Sequence, residues 1–187
     1  MSVKRHPANL PKEGAALLII DMQERIMPVI RNIETVTANT LRLIEGFKVL
    51  GNPIFITEQY PKGLGPTAAP IAEALQGITP FQKMSFSCGG AEGLFAMFEK
   101  HQIENIVVAG IEAHVCVTQT VLDLLENDIQ VYVAADATSS RRELDYEIAL
   151  RRMEMYGAEM TVTESVLFEM LEVCGTPEFK AISKIVK

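Results

Sequence analysis

Residues 107–117 read Val-Val-Ala-Gly-Ile-Glu-Ala-His-Val-Cys-Val. An apolar run with strand character ends in a short turn, and an amphipathic helical pattern begins around Cys116. A thiol at the N-terminus of a helix faces unpaired backbone N–H groups and the positive end of the helix dipole, and both favour the thiolate. Free cysteine is also among the most buried residue types, so a packing role fits the same position. The stretch predicts a strand-turn-helix unit whose cysteine is a candidate nucleophile.

The rest of the chain repeats this alternation of short apolar strands and longer amphipathic helices. Such an order is typical of βαβ units, in which helices cover both faces of a parallel sheet. Residues 58–67 are rich in proline and glycine and predict a long loop, whereas Ser140 and Glu143 predict a capping box that opens a helix. The predicted strands lie at 15–20, 53–57, 81–84, 105–109, 130–135 and 159–162.

The composition is that of a globular protein and argues against several classes of function. The 187 residues are 48% hydrophobic and 22% charged, which suits a single domain over residues 1–187. A net charge of −7 without a basic cluster argues against a nucleic-acid partner. The N-terminus lacks signal-peptide character and no run is long enough to span a membrane. Three cysteines give no disulfide framework, so we expect a cytoplasmic protein.

Three chemically distinct side chains lie at or near predicted strand ends. Asp21 directly follows the first strand, Lys83 lies in the third, and Cys116 follows the fourth. Ligand sites of open parallel sheets lie beyond the carboxyl ends of the strands. Each residue alone has an ordinary explanation, as a turn cap, a lysine reaching solvent or a buried thiol. Together they supply a base, a cation that holds it and a nucleophile, so we predict that all three are catalytic.

Three motifs surround these residues in a specific order. They are Asp-Met-Gln at 21–23, Lys-Met-Ser-Phe-Ser at 83–87 and Gly-Ile-Glu-Ala-His-Val-Cys-Val at 110–117. This set resembles the motifs of the isochorismatase-like cysteine hydrolases, and the resemblance covers residues 15–173. It implies an α/β protein of three layers, α/β/α, with a six-stranded parallel sheet in a Rossmann-like arrangement. It also implies a triad of Asp21, Lys83 and Cys116.

The same resemblance describes the turn that carries the nucleophile. It implies a cis peptide bond between Ile111 and Glu112. It also implies an oxyanion hole in which the backbone N–H groups of Glu112 and Cys116 meet the negative charge that develops on the attacked oxygen.

The chain departs from the nicotinamidases of this superfamily, which carry an Asp-x-His metal motif after the second strand. Residues 57–65 here read Thr-Glu-Gln-Tyr-Pro-Lys-Gly-Leu-Gly, without a histidine. With only His6, His101 and His114 in the chain, a multi-histidine metal site cannot be built in that loop. We therefore expect neither a metal nor another cofactor. This loop resembles that of the isochorismatase-domain-containing subgroup.

Several further residues are candidates because they neighbour the triad motifs. Gln23, Tyr60 and Phe86 are predicted to form walls of the substrate pocket, although an aromatic residue near a strand end also suits a core. His114 is an alternative base for Cys116, but a histidine on a turn also suits contacts with backbone or solvent.

The leading hypothesis is a metal-independent hydrolase that cleaves a small amide-like C–N bond through a thioester on Cys116. Its partners are then a small-molecule substrate and further copies of the chain, with the apolar C-terminal segment 176–187 at an oligomer interface. A catalytically vestigial scaffold or ligand-binding oligomer of the same fold is the alternative. A redox-active cysteine protein is a third reading, for which Cys88 and Cys174 lack a matching sequence context.

Overall fold

A computed structural model describes residues 4–187 and shows one six-stranded sheet. All of its strand pairs are parallel, and their spatial order is 3-2-1-4-5-6, the order of a Rossmann fold. The predicted fold class is confirmed. The strands are β1 (Ala15–Ile20), β2 (Ile54–Gln59), β3 (Phe81–Lys83), β4 (Asn105–Ile111), β5 (Gln130–Ser139) and β6 (Glu159–Thr161).

Helices follow the strands along the chain and cover both faces of the sheet. Between residues 4 and 187, no helix is long and apolar enough to cross a bilayer. The helices are α1 (Ile33–Leu50), α2 (Pro61–Leu64), α3 (Ala69–Ala74), α4 (Leu94–Lys100), α5 (Thr118–Glu126), α6 (Glu143–Met155), α7 (Thr163–Leu171) and α8 (Pro177–Ile185).

Successive residues of β1 point into two separate cores, because side chains alternate across a strand. Leu17 and Ile19 pack in the core that α1, α3, α7 and α8 cover. Leu18 and Ile20 pack in the core that α4, α5 and α6 cover. All six residues of β1 are buried, which explains why this strand reads as an uninterrupted apolar run.

Two local predictions are wrong because segments that are distant in the sequence make contacts that the sequence does not show. Strand β2 continues to Gln59, since Thr57 to Gln59 pair with Phe81 to Lys83, so the expected loop starts later and contains α2. Ser140 does not cap α6, which begins at Glu143. Its hydroxyl lies 3.0 Å from Nδ1 of His114 instead.

The C-terminal helix α8 packs on its own chain. Ile182 is fully buried in the core that also contains Phe47 of α1 and Leu167 of α7. This contact covers part of the apolar side of the segment. An oligomer interface at 176–187 therefore stays a prediction.

Gly110 allows β1 and β4 to approach each other beside the site. Its φ is 122°, and a Cβ added there would lie 2.2 Å from the carbonyl oxygen and 2.6 Å from the nitrogen of Ile20. Such distances require a shift of the backbone of a central strand. Gly77 also has a positive φ, 87°, but open space around its Cα.

We predict that Gly110→Ala lowers the free energy of unfolding by roughly 3 kcal/mol or more beyond the loss in Gly77→Ala. Gly77→Ala isolates the cost of placing an alanine at positive φ, about 1–2 kcal/mol. Urea unfolding of both variants measures the difference. Equal losses would show that the contact between β1 and β4 relaxes without cost.

Candidate active site

The structure brings Asp21 and Lys83 together in a buried ion pair. Asp21 follows β1 and Lys83 ends β3, and the two side chains reach each other across the end of β2, with Nζ 2.6 Å from Oδ2. Both are nearly inaccessible to solvent. The Thr57 hydroxyl donates to the other carboxylate oxygen, Oδ1, at 2.8 Å. Asp21 is thus held on both oxygens at the carboxyl end of the sheet.

Cys116 completes this cluster from the neighbouring strand-helix connection. It lies in a π-helical turn, Ala113–Val117, between β4 and α5, and only 7% of its surface is exposed. Its thiol lies close enough to Asp21 and Lys83 for both charges to act on its pKa. The three residues singled out at strand ends therefore converge on one point.

The environment of Cys116 favours the neutral thiol, contrary to the expectation of a helix N-terminus that favours thiolate. Burial raises the pKa of the Cys116 thiol, and the negative charge of Asp21 raises it further. The Lys83 ammonium acts in the opposite direction but does not outweigh them. The α-helix itself begins only at Thr118, two residues after the cysteine. A nucleophilic role for Cys116 therefore requires a base that removes the thiol proton.

The Lys83 ammonium donates hydrogen bonds to neutral acceptors as well as to Asp21. Its Nζ donates to Oε1 of Gln59 at 2.9 Å and to the carbonyl oxygen of Phe86 at 2.9 Å, with that of Ser85 at 3.3 Å. Burying an ammonium is costly unless its N–H groups are bonded. These contacts also hold the loop after β3 against the site.

Two glutamine amides form a buried network behind the ion pair. Gln23, predicted as a pocket wall, is fully buried and donates to the carbonyl oxygens of Gln59 and Gly65 at 3.0 and 2.7 Å. It accepts from the backbone N–H of Gln59 at 2.8 Å. The side chain of Gln59 in turn donates to the carbonyl oxygen of Met84 at 2.9 Å. Gln23 therefore supports the site from inside, and its amide is engaged within the protein.

Gln59 is a site residue that the sequence interpretation missed. Its side chain lies on the same side of β2 as that of Thr57, two residues earlier, because strand side chains alternate. Once Thr57 is known to contact Asp21, this spacing places Gln59 beside Lys83. The sequence alone did not reveal that β2 continues this far.

The two aromatic residues that were predicted as pocket walls are exposed and follow the ends of β2 and β3. Tyr60 is 47% exposed and Phe86 is 55% exposed. A cleft of about 360 Å³ opens beside these residues, between Pro61, Met84 and Glu92. Whether Tyr60 and Phe86 contact a substrate stays a prediction.

The nucleophile turn has the cis peptide bond between Ile111 and Glu112 that the resemblance implied. The Glu112 carbonyl accepts from the N–H groups of Val115 and Val117 at 3.1 and 3.2 Å, and the Glu112 carboxylate pairs with Arg141 at 3.0 Å. These bonds fix the turn on both sides of the cis peptide. An oxyanion hole at the N–H groups of Glu112 and Cys116 stays a prediction.

His114 engages partners away from the thiol. Its Nδ1 lies 3.0 Å from the Ser140 hydroxyl and its Nε2 lies 3.9 Å from the Asp145 carboxylate. These contacts favour a role in holding the turn against α6. Asp21, whose charge acts on the Cys116 thiol, is the better-placed candidate base.

Cys88 is a second buried thiol at the site, although its sequence context indicated no role. Its Sγ lies 3.6 Å from the Thr57 hydroxyl, and its backbone N–H donates to Thr120, whose hydroxyl donates to the carbonyl of Cys116. Burial, followed by the charge of Asp21, raises the pKa of Cys88 to about 11. Cys174 is exposed beyond α7. Only the fold shows that Cys88 and Cys116 are neighbours.

The described part of the chain, residues 4–187, contains no group of three or more His, Cys, Asp or Glu side chains that could hold a metal ion. The polar groups around Asp21 are instead an ammonium, amides, hydroxyls and backbone carbonyls. These groups and the sheet order define a Rossmann-like α/β protein. It has a buried thiol, carboxylate and ammonium at the carboxyl ends of its strands, near the point where the strand order reverses.

Comparison with known proteins identifies the family. The Isochorismatase domain matches residues 15–165. Isochorismatase domain-containing protein 2 of Danio rerio is 36% identical over 176 residues, which cover 94% of this chain and 88% of that protein. The chain therefore belongs to the isochorismatase family, whose members are generally hydrolases.

Solved structures give the same fold. A structure described as MAR1 ribonuclease from Caenorhabditis elegans has a TM-score of 0.89 and 35% identity, with 96% of this chain and 92% of that chain covered. The YcaC gene product of Escherichia coli, described as an octameric hydrolase of unknown specificity, has a TM-score of 0.85 and 21% identity. The match covers 91% of this chain and 85% of the YcaC chain.

We predict that Asp21→Asn accelerates alkylation of Cys116 by iodoacetamide at neutral pH. The substitution removes the negative charge that raises the thiol pKa and leaves the Lys83 ammonium in place. In the unmodified protein, alkylation is slow at neutral pH and rises as the pH increases toward the raised pKa. Each unit by which the pKa falls increases the thiolate fraction about tenfold.

Mass spectrometry of the Cys116 peptide over a pH series measures these rates. The exposed Cys174 of the same chain is an internal control, since its rate is expected to be the same in both proteins. An unchanged or slower reaction of Cys116 in Asp21→Asn would contradict the electrostatic coupling of the two groups.

Proposed function

We propose that this protein is a cysteine hydrolase that cleaves a small amide-like C–N bond through a thioester on Cys116, without a metal ion. The observation that carries the proposal is the placement of Asp21. Its carboxylate lies near the Cys116 thiol, whose pKa it raises, and 2.6 Å from the Lys83 ammonium. A candidate nucleophile, a base and a cation that orients the base are therefore gathered in one buried cluster.

In the first half of the reaction, Asp21 takes the thiol proton while Sγ of Cys116 attacks the carbonyl carbon of the substrate. The S–C bond forms and the carbonyl π electrons move to oxygen, where the N–H groups of Glu112 and Cys116 stabilise the negative charge. When the carbonyl reforms, the C–N bond breaks. Asp21 returns its proton to the leaving nitrogen, which departs as a neutral amine or ammonia.

In the second half, water attacks the thioester and Asp21 again acts as the base. The C–S bond breaks, the carboxylic acid leaves, and the thiol is protonated again. Lys83 does not transfer a proton in either half. It fixes the direction of the carboxylate and balances its charge, as the 2.6 Å contact requires.

The surroundings of Cys116 favour a small substrate. With 7% of the residue exposed, only a compact carbonyl group reaches the sulfur unless the surrounding residues move. The exposed rings of Tyr60 and Phe86 provide apolar surface around that approach. These features fit a small amide better than a protein chain.

A vestigial scaffold of the same fold is the second candidate, because a retained fold does not guarantee activity. The intact buried ion pair argues against it. Two charges are costly to bury, and a structural protein has no evident need for them at the carboxyl ends of the strands.

Ribonuclease activity is suggested only by the description of the C. elegans structure as a ribonuclease. The net charge of −7 of this chain offers no attraction for a phosphate backbone. RNA therefore belongs in the substrate panel as the alternative that the charge argues against.

We also propose that the protein acts as a homo-oligomer in the cytoplasm. The YcaC relative is described as octameric, and this chain exposes Leu144, Ile148 and Met155 along one side of α6. Its three free cysteines suit a reducing compartment. Light scattering of the purified protein decides the assembly, and a monomer at all concentrations would contradict it.

The decisive experiment incubates the protein with a panel of small amides and quenches it in acid. We expect turnover of at least one amide and an acyl adduct on Cys116 in the mass spectrum. Cys116→Ala is expected to lose roughly 10³-fold or more of the rate, because it removes the nucleophile. Cys174→Ala, a substitution of an exposed thiol, is the matched control and should retain full activity.

Two outcomes would contradict the proposal. One is amide turnover that persists in Cys116→Ala. The other is the lack of both turnover and adduct for every amide, which favours the scaffold. Cleavage of RNA that depends on Cys116 would replace the amide by a phosphodiester as the substrate.

A further inference from the structure

A second cavity lies on the opposite side of β2 from the triad. Thr57 and Gln59 face the ion pair, so the residue between them, Glu58, points to the other face. There the cavity opens between β2, α3 and the segment that follows α3, with a volume of about 130 Å³. Its walls include the apolar residues Ile56, Pro66, Leu75, Ile78 and Pro80.

Glu58 supplies the single charge of this cavity. Only 7% of the residue is exposed. Its Oε1 accepts two hydrogen bonds from Thr67, one from the backbone N–H at 2.7 Å and one from the hydroxyl at 2.8 Å. Among residues 4–187, no cation pairs with this carboxylate and no donor reaches Oε2. Since Glu58 lines the cavity, Oε2 is the polar atom left to meet a ligand.

We propose that this cavity binds a small primary alkylammonium ion. The ammonium donates to Oε2 of Glu58 and balances its charge, while the alkyl group lies against the proline, leucine and isoleucine walls. A buried carboxylate without a cation is the feature that such a ligand satisfies.

The size and the chemistry of the cavity limit the ligand. An apolar cavity of about 150 Å³ holds benzene, so about 130 Å³ suits a propyl or isobutyl group. A divalent metal is disfavoured, because Ca²⁺ and Mg²⁺ need six or more oxygen ligands and the walls are apolar. An anion is repelled by the carboxylate.

This site is independent of the triad. Its ligand is held by Glu58 and the α3 side of β2, and none of these groups takes part in the hydrolysis proposed above. Loss of Cys116 reactivity therefore leaves the alkylammonium site intact, and the two proposals fail separately.

The test is an NMR titration with isobutylammonium chloride, followed at the backbone amide of Thr67. This N–H donates to Glu58, so its chemical shift reports directly on the carboxylate. We expect a saturable shift in the millimolar range, as befits so small a ligand. Isobutanol and isobutyrate, which have the same alkyl group, should bind at least tenfold more weakly, and potassium chloride should give no saturable shift.

Two variants distinguish the contribution of the Glu58 charge from that of the cavity shape. Glu58→Gln keeps an oxygen that accepts from Thr67, so the fold is retained, and the preference for isobutylammonium over isobutanol should disappear. Ala72→Leu fills the mouth of the cavity from the exposed side of α3 and should weaken isobutylammonium at least tenfold with the carboxylate intact. Thermal unfolding of both variants confirms that they are folded.

Equal binding of isobutylammonium and isobutanol would overturn the proposal, because it would show an apolar cavity without charge selection. An equal shift with potassium chloride would overturn it as well, since the response would then be ionic screening. Unchanged binding in Glu58→Gln would place the ligand elsewhere.

Discussion

The buried ion pair between Lys83 and Asp21 is the interaction on which the rest of the site depends. Both side chains are almost completely buried, and removing one partner of such a pair leaves an uncompensated charge at a cost of about 3–5 kcal/mol. The neighbouring groups satisfy the remaining donors and acceptors. Thr57 donates to Asp21, and Gln59 accepts from Lys83, as does the carbonyl of Phe86. The loop after β3 is therefore ordered by the same bonds that orient the base.

The alternation of side chains along β2 divides the molecule into two chemical environments. Thr57 and Gln59 point toward the ion pair with neutral polar groups, in the region where nicotinamidases carry their metal motif. Glu58 points to the other face, where it is bonded to Thr67 beside an apolar cavity. A strand that was expected to end at residue 57 thus contributes to both environments with its last three residues. Because β2 extends to Gln59 and pairs with β3, Lys83 lies in register with Gln59.

The sequence predicted the features that follow from local pattern and missed those that depend on contacts between distant segments. The sequence predicted that Asp21, Lys83 and Cys116 lie together, because the carboxyl ends of parallel strands lie on the same side of a sheet. Gln59 and Cys88 were missed, since their roles arise only where β2, the loop after β3 and α5 meet. The thiolate expected at Cys116 was wrong for a similar reason. Helix position is readable from sequence, whereas burial and the facing carboxylate, which raise the pKa, are not.

The raised pKa of Cys116 fits the proposed chemistry, because one of its causes is the charge of the proposed base, Asp21. Part of the penalty on the thiolate is the negative charge of Asp21, and that charge vanishes when the carboxylate accepts the thiol proton. Lys83 then faces a neutral acid and its positive charge is free to stabilise the new thiolate. The net charge of the three groups is unchanged by the transfer. A resting thiol is also a poor target for oxidants, which react with the thiolate. In the proposed mechanism, the site thus generates its nucleophile only when the proton moves to Asp21.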